Sequence, residues 1–165
     1  MSSETLHIRA AAPADAPLIL QLIRELADYE KLSHHVVASE DSIRTALFGP
    51  KPAAECLIAE LAGKPVGFAL FFHNFSTFLG RAGLYLEDLY VQPEYRGKGV
   101  GRRLLAQLAR LALQRGCGRF EWAVLDWNAP AIRFYQSLGA QMLEDWKINR
   151  LTGEALEKLA AEAAG

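Results

Sequence analysis

The stretch from Leu84 to Ala106 constrains this chain most. An apolar run carrying two carboxylates, Glu87 and Asp88, is followed by a turn at Pro93. Then comes the loop Arg96-Gly97-Lys98-Gly99-Val100-Gly101 and a segment with helical spacing. Glycines at alternate positions let several backbone N–H groups converge on one point, and a helix start adds partial positive charge there. The pattern predicts strand, anion-binding loop and helix in succession, with a diphosphate as the fitting anion. The competing reading is a glycine-rich connection that binds nothing. The loop lacks the Gly-Lys-Ser/Thr ending of a P-loop and the Gly-x-Gly-x-x-Gly order of a dinucleotide fold.

The rest of the chain must build a sheet and helices around that unit. With 165 residues, 51% of them hydrophobic, it suffices for one domain, 1–165. Leu6 to Arg9 reads as a first strand. Asp15 reads as the cap of a helix with Leu18, Ile19, Leu22, Ile23 and Leu26 on one face. A short helix from Ser39 to Leu47 is capped by Ser39 and stopped by Gly49-Pro50. Cys56–Leu61 and Val66–Phe72 form a hairpin across Ala62-Gly63-Lys64-Pro65, and Phe75 to Gly83 reads as a loop. Leu104, Leu105, Leu108, Leu111 and Ala112 give the helix after the glycines its apolar stripe, with Gly116 at its end. Arg119–Leu125 is a strand, Asn128 caps a helix that Gly139 ends, Gln141–Arg150 supplies one or two last strands, and Thr152–Ala164 a final helix.

The net charge of -1 provides no basic field for nucleic acid or an anionic membrane, and no stretch approaches a membrane span. Cys56 and Cys117 lack metal-ligand spacing and read as reduced core thiols, so no metal is expected. With no signal-like start, the expected compartment is the cytoplasm.

Two carboxylates in an apolar strand are costly to bury alone, which points to a solvated cleft, a cationic ligand or a paired arginine. Strict alternation would aim Glu87 and Asp88 at opposite faces, so that only one meets a given cleft; for Asp88 a salt bridge or sheet edge is the favoured reading. Asn128 is explained locally as a cap, and Tyr135 as part of a helix face with Ile132 and Leu138.

Taken together, these segments resemble the GCN5-related N-acetyltransferases (GNAT). The acetyl-CoA motif of that superfamily is met by Arg96 through Gly101. Tyr85-Leu86-Glu87-Asp88, Tyr95-Arg96-Gly97, Trp127-Asn128-x-Pro130 with Phe134-Tyr135, and Glu25-Leu26-Ala27-x-Tyr29-Glu30 are similar to its diamine, spermidine/spermine and thialysine branch. The resemblance implies an α/β (α+β mixed) GNAT fold, with a central mixed, mostly antiparallel sheet of six to seven strands flanked by helices on both faces. It implies that Leu89, Tyr90 and Val91 meet the pantetheine arm of acetyl-CoA and that Arg96, Gly97, Lys98, Gly99, Val100, Gly101 and Arg102 hold its pyrophosphate. Asn128, Pro130 and Ala131 would line its other side, with Tyr135 near the sulfur, while Tyr29, Glu30, Glu87 and Asp145 contact the acceptor.

The chain departs from the branch in a short turn at 62–65 and a compact segment from Gly139 to Trp146, where Glu144 and Asp145 are the available acids. The expected reaction is acetylation of a primary amine, a polyamine or diamine, by direct attack in a ternary complex. Glu87 takes the proton directly or through water, Tyr135 protonates the leaving thiolate, and a free amide of a strand bulge near Leu89 polarises the acetyl oxygen. No nucleophile for an acetyl-enzyme stands in the motif, since Cys117 lies at a helix exit. Thialysine, another lysine-like amino acid or a xenobiotic amine is the alternative acceptor, and a non-catalytic acetyl-CoA-binding module the remoter one. Branch members imply a homodimer.

Overall fold

The computed structural model describes residues 5–163. It divides into two compact units, the first running to Ala123 and the second from Val124. The first unit contains β1 (Leu6–Ala10), α1 (Ala16–Tyr29), α2 (Glu40–Phe48), β2 (Glu55–Leu61), β3 (Lys64–Ser76), β4 (Arg81–Val91), α3 (Val100–Gln114) and β5 (Phe120–Trp122). The second contains α4 (Ala129–Ser137) and α5 (Gly153–Ala161).

The strands form one sheet in the order β1-β2-β3-β4-β5, antiparallel except for the parallel β4–β5 pair. It therefore has five strands among the described residues, where six to seven were expected. The missing ones fall in 141–150, which makes no ladder; a turn closed by Trp146 N–H on the Leu143 carbonyl, 3.3 Å, interrupts it. Alternation in sequence does not make a strand without a neighbour to take its backbone groups.

Side-chain alternation gives the sheet two apolar faces. Phe68, Leu70 and Tyr90 join Cys56 and Ile58 in a buried cluster with Ile19, Leu22 and Leu26 of α1 and Leu47 of α2. Phe71 and Val91 point the other way, toward α3: Arg115, just past that helix, lies over the Phe71 ring, and Val91 lies beside Gly101. Both cysteines are free and buried, and burial pushes the Cys56 thiol up to about 12.

Local chemistry changed several boundaries. Asp15 holds the N-cap position of α1 as expected, but its side chain makes no capping bond to that helix. Its carboxylate accepts from Ala12 N–H at 2.7 Å and from both Arg9 terminal nitrogens at 2.7 and 2.9 Å, joining β1 to the turn before α1. Ser39 does cap α2, accepting from Ser42 N–H at 3.1 Å. The hairpin turn narrows to Ala62-Gly63, with φ 51 and 80, because Leu61 already pairs with Lys64. The expected loop at 75–83 shrinks to 77–80, since Asn74, Phe75 and Ser76 pair with Gly83, Ala82 and Arg81. Gly83 is a strand glycine: a Cβ there would come within 2.3 Å of the Asn74 amide oxygen. In the second unit Asn128 caps α4, accepting from Ala131 N–H at 3.4 Å, whereas Thr152 stands at the cap of α5 without a side-chain capping bond.

Candidate active site

The site is built on β4. Leu89 pairs with Ala69 and Leu86 with Phe71, while only Asp88 pairs with Leu70, so Glu87 is an inserted residue forming a β-bulge. Leu86 and Leu89 lie across from β3 residues of one face. Glu87 and Asp88 are therefore both left opposite Leu70, on the face covered by α1. The expectation of opposite faces fails because it assumed an unbroken strand. Both carboxylates meet the same region, and Asp88, read as a salt-bridge or edge residue, belongs to the candidate site.

Electrostatics agree with that register. Burial, with Glu87 and then Glu30 nearby, raises the Asp88 carboxyl to about 6. Burial also raises Glu30, at the C-cap of α1. The Tyr85 phenol is raised first by burial and then by Glu87 and Glu121. Glu87 itself is exposed. Asp88 and Glu30, both raised, would be eased by a cation bound beside them.

The bulge also marks where the sheet opens. β5 pairs with β4 only at Leu84–Phe120, Tyr85–Glu121 and Leu86–Trp122. From Glu87 to Val91, β4 is hydrogen-bonded to β3 alone among the strands, leaving backbone groups of its other edge available to an extended ligand. Leu89, Tyr90 and Val91 lie on that edge.

Past a one-turn helix at Pro93–Tyr95, the glycine loop enters α3. Gly97 and Gly99 have φ 77 and 80, and Gly99 is the N-cap of α3. The loop residues Gly97, Lys98 and Gly99 are exposed, and the first-turn amides of Val100, Gly101 and Arg102 have no partner within their own helix. Exposed glycines, orphan amides and the 15-residue helix behind them fit a diphosphate. The Arg96 side chain turns toward β4 and the end of α1. Its Nε donates to the Val91 carbonyl at 2.9 Å, and its guanidinium lies 4.7 Å from the Tyr29 ring centroid and 5.6 Å from that of Tyr90.

Tyr29 is the last residue of α1 and Glu30 its cap, so the two acceptor candidates from helix one stand together. The helix closes with Leu32 N–H on the Ala27 carbonyl and Lys31 N–H on that of Asp28, with Lys31 at φ 62. In the second unit Asn128 is buried at the cap of α4, Pro130 and Ala131 occupy its first turn, and Tyr135 is half-buried in its last turn, 5.6 Å from the Phe134 ring. Asp145 is exposed in the turn between α4 and α5. No group of three or more His, Cys, Asp or Glu among the described residues is arranged to hold a metal, and no helix among them is long and apolar enough to cross a membrane.

A bulged central strand, unpaired by β5 past Leu86, runs into a glycine-rich helix start, an arrangement that suits an acyltransferase of the coenzyme A-dependent kind. The chain belongs to the acetyltransferase (GNAT) family, whose model matches residues 20–140. It is 45% identical over 166 residues to a thialysine N-epsilon-acetyltransferase of Bos taurus, covering 94% of this chain and 97% of that protein. It is 34% identical over 198 residues to L-ornithine N5-acetyltransferase NATA1 of Arabidopsis thaliana, covering 93% and 87%. Among solved structures, an integron cassette protein from the mobile metagenome of V. cholerae superposes with a TM-score of 0.78 at 28% identity, covering 94% and 97%. The protein is thus a GNAT N-acetyltransferase, and membership implies acetyl-CoA as co-substrate.

Proposed function

We propose that the protein acetylates the terminal primary amine of a small, flexible molecule that carries a second cationic nitrogen. Diamines, polyamines and lysine-like amino acids share that feature. The observation that carries the reading is the bulge placing Glu87 and Asp88 on one face, in a region where Glu30 and Glu87 both raise Asp88. A polyamine or diamine matches the number of carboxylates. The lysine-like alternative is favoured by the thialysine and ornithine acetyltransferases at 45% and 34% identity.

An alkyl ammonium with a pKa of about 10.4 cannot attack a thioester until it loses a proton. Glu87, directly or through water, accepts that proton; the amine nitrogen bonds to the acetyl carbon, the carbon–sulfur bond breaks, and Tyr135 returns a proton to the departing thiolate. A bulge amide polarises the acetyl oxygen during the attack. Gly97 through Arg102 hold the pyrophosphate, Leu89 to Val91 the pantetheine arm, and Asn128, Pro130 and Ala131 its other side. Tyr29, Glu30 and Asp145 contact the acceptor. Transfer is direct: burial holds Cys56 protonated, and Cys117 is buried at the exit of α3.

The two units act as one catalytic domain in this scheme, and the working form is a homodimer in the cytoplasm. Exposed Met142, Leu143, Trp146 and Ile148 of the second unit support a self-association surface. Thiol release from acetyl-CoA, measured with spermidine, a simple diamine, thialysine and ornithine, tests the acceptor reading. Turnover of one or more of them is expected. Cofactor binding with no turnover of any amine would reduce the protein to a binding module.

A further inference from the structure

The motif arginine Arg96 stands directly before the glycines, where its charge would naturally be assigned to the pyrophosphate. Its side chain is directed elsewhere. The guanidinium spans the Tyr29 ring at 4.7 Å and the Tyr90 ring at 5.6 Å, while its Nε is committed to the Val91 carbonyl at 2.9 Å. Tyr90 is fixed in the buried cluster of the α1 face, and Tyr29 ends α1 beside Glu30. A second tie runs the same way: the Gln92 amide donates to the Glu25 carboxylate, 3.3 and 3.4 Å to its two oxygens. The backbone of Arg96 opens the anion loop, and its side chain reaches the turn that presents the acceptor candidates.

We propose that Arg96 is a positioning residue for the acceptor, joining the phosphate loop to the C-terminal turn of α1, so that filling the loop fixes Tyr29 and Glu30. The inference rests on the site reading above, with the acceptor at the end of α1. Because Arg96 is one residue with its main chain in one site and its side chain in the other, the linkage is reciprocal: coenzyme tightens the acceptor turn and acceptor tightens the coenzyme by the same factor. A lysine cannot replace it. One ammonium keeps the charge near the loop but cannot lie against both rings while also donating an Nε–H to the Val91 carbonyl.

The test combines hydrogen exchange with kinetics on the full chain. Coenzyme A is added to wild type and to Arg96→Lys, and exchange is read at the loop, 97–103, and at the end of α1, where the amides of Glu30, Lys31 and Leu32 bond to Leu26, Asp28 and Ala27. In wild type both segments should slow; in Arg96→Lys the loop should still slow and the helix end should not. Coenzyme affinity should stay within about twofold, while the acceptor KM rises about five- to tenfold, the size of an ordinary coupling. Tyr29→Leu, which removes the ring from the other side, should likewise uncouple the helix end. Protection of the loop without the α1 end in wild type overturns the inference alone. So does an Arg96→Lys enzyme that loses coenzyme affinity with an unchanged acceptor KM, which makes Arg96 a phosphate ligand. A wild-type loop that gains no protection from coenzyme A sinks the cofactor reading and this inference with it.

Discussion

Glu87 and Asp88 are consecutive in β4, yet both lie opposite Leu70, because the bulge at Glu87 breaks the alternation that would separate them. The same bulge is where β4 leaves β5, whose pairing stops at Leu86–Trp122. One inserted residue thus brings two acids to a common face, next to the point where β4 loses its β5 neighbour.

With Glu87 as the proton acceptor, Glu87→Gln should lower kcat by about 100-fold or more, within the usual span for a general base, with coenzyme affinity unchanged. The defect should shrink as pH approaches the amine pKa of about 10.4, where free amine no longer needs a base. A pH–rate profile parallel to wild type up to that range would remove Glu87 from the role.

Asp88 titrates at about 6 in the folded protein, raised first by burial and then by Glu87 and Glu30. In the unfolded chain it titrates near 3.9. Between those values the folded state holds more protons, so Asp88 lowers stability as pH rises through the window and keeps it lower above. Asp88→Asn should therefore stabilise the protein at pH 8 by roughly 2 kcal/mol relative to its effect at pH 4, read as Tm against pH. The same variant should raise the acceptor KM at pH 8, where wild type presents a carboxylate. Equal Tm effects at both pH values would contradict the assignment.

Tyr135 carries the other proton in the proposed scheme. Tyr135→Phe keeps the ring on α4 but loses the hydroxyl, so kcat should fall by about 100-fold when an amine acceptor is used. Full turnover with an unchanged alkaline limb of the pH–rate profile would leave the thiolate to be protonated by solvent.

The loop from Arg96 to Gly101 and the helix behind it were legible because positive φ, exposed amides and apolar spacing all leave marks in local sequence. Tyr29 and Glu30 were singled out by the motif they share, and the structure sets them side by side as the last residue and the cap of α1. A bulge near Leu89 was expected only through the family resemblance, and its consequence for Glu87 and Asp88 was not drawn, because only the register with Leu70 shows which residue is inserted. Asp88 was missed for that reason. Asp15 was rightly placed at the N-cap of α1, but its pairing with Arg9 was not foreseen because that partner lies on another element, and 141–150 was assigned to strands because apolar spacing does not reveal whether a neighbouring strand is present.

The β2–β3 turn offers a stability test remote from the carboxylates. Ala62 holds φ 51 and Gly63 φ 80 in a two-residue connection, and left-handed backbone suits asparagine better than alanine. Ala62→Asn should stabilise by about 0.5–1 kcal/mol, a gain of about 2–3 °C in Tm, with kinetics unchanged. A fall in Tm would show that the turn is held by something other than its backbone preference.

Gly99 provides the sharpest test of the anion site, because Gly63 is a matched control. Both have φ 80, and a Cβ at either would meet nothing within 4 Å. Replacement by alanine therefore costs the same kind of backbone strain at both, roughly 1–2 kcal/mol, without a clash. Gly99→Ala and Gly63→Ala should lose similar Tm, but only Gly99→Ala places a methyl group at the N-cap of α3, where the diphosphate is proposed to approach the backbone. Its coenzyme A dissociation constant, measured by calorimetry, should rise at least tenfold, about 1.4 kcal/mol, while Gly63→Ala binds as wild type. Equal coenzyme affinities in the two variants would move the diphosphate away from the Gly97–Gly101 loop.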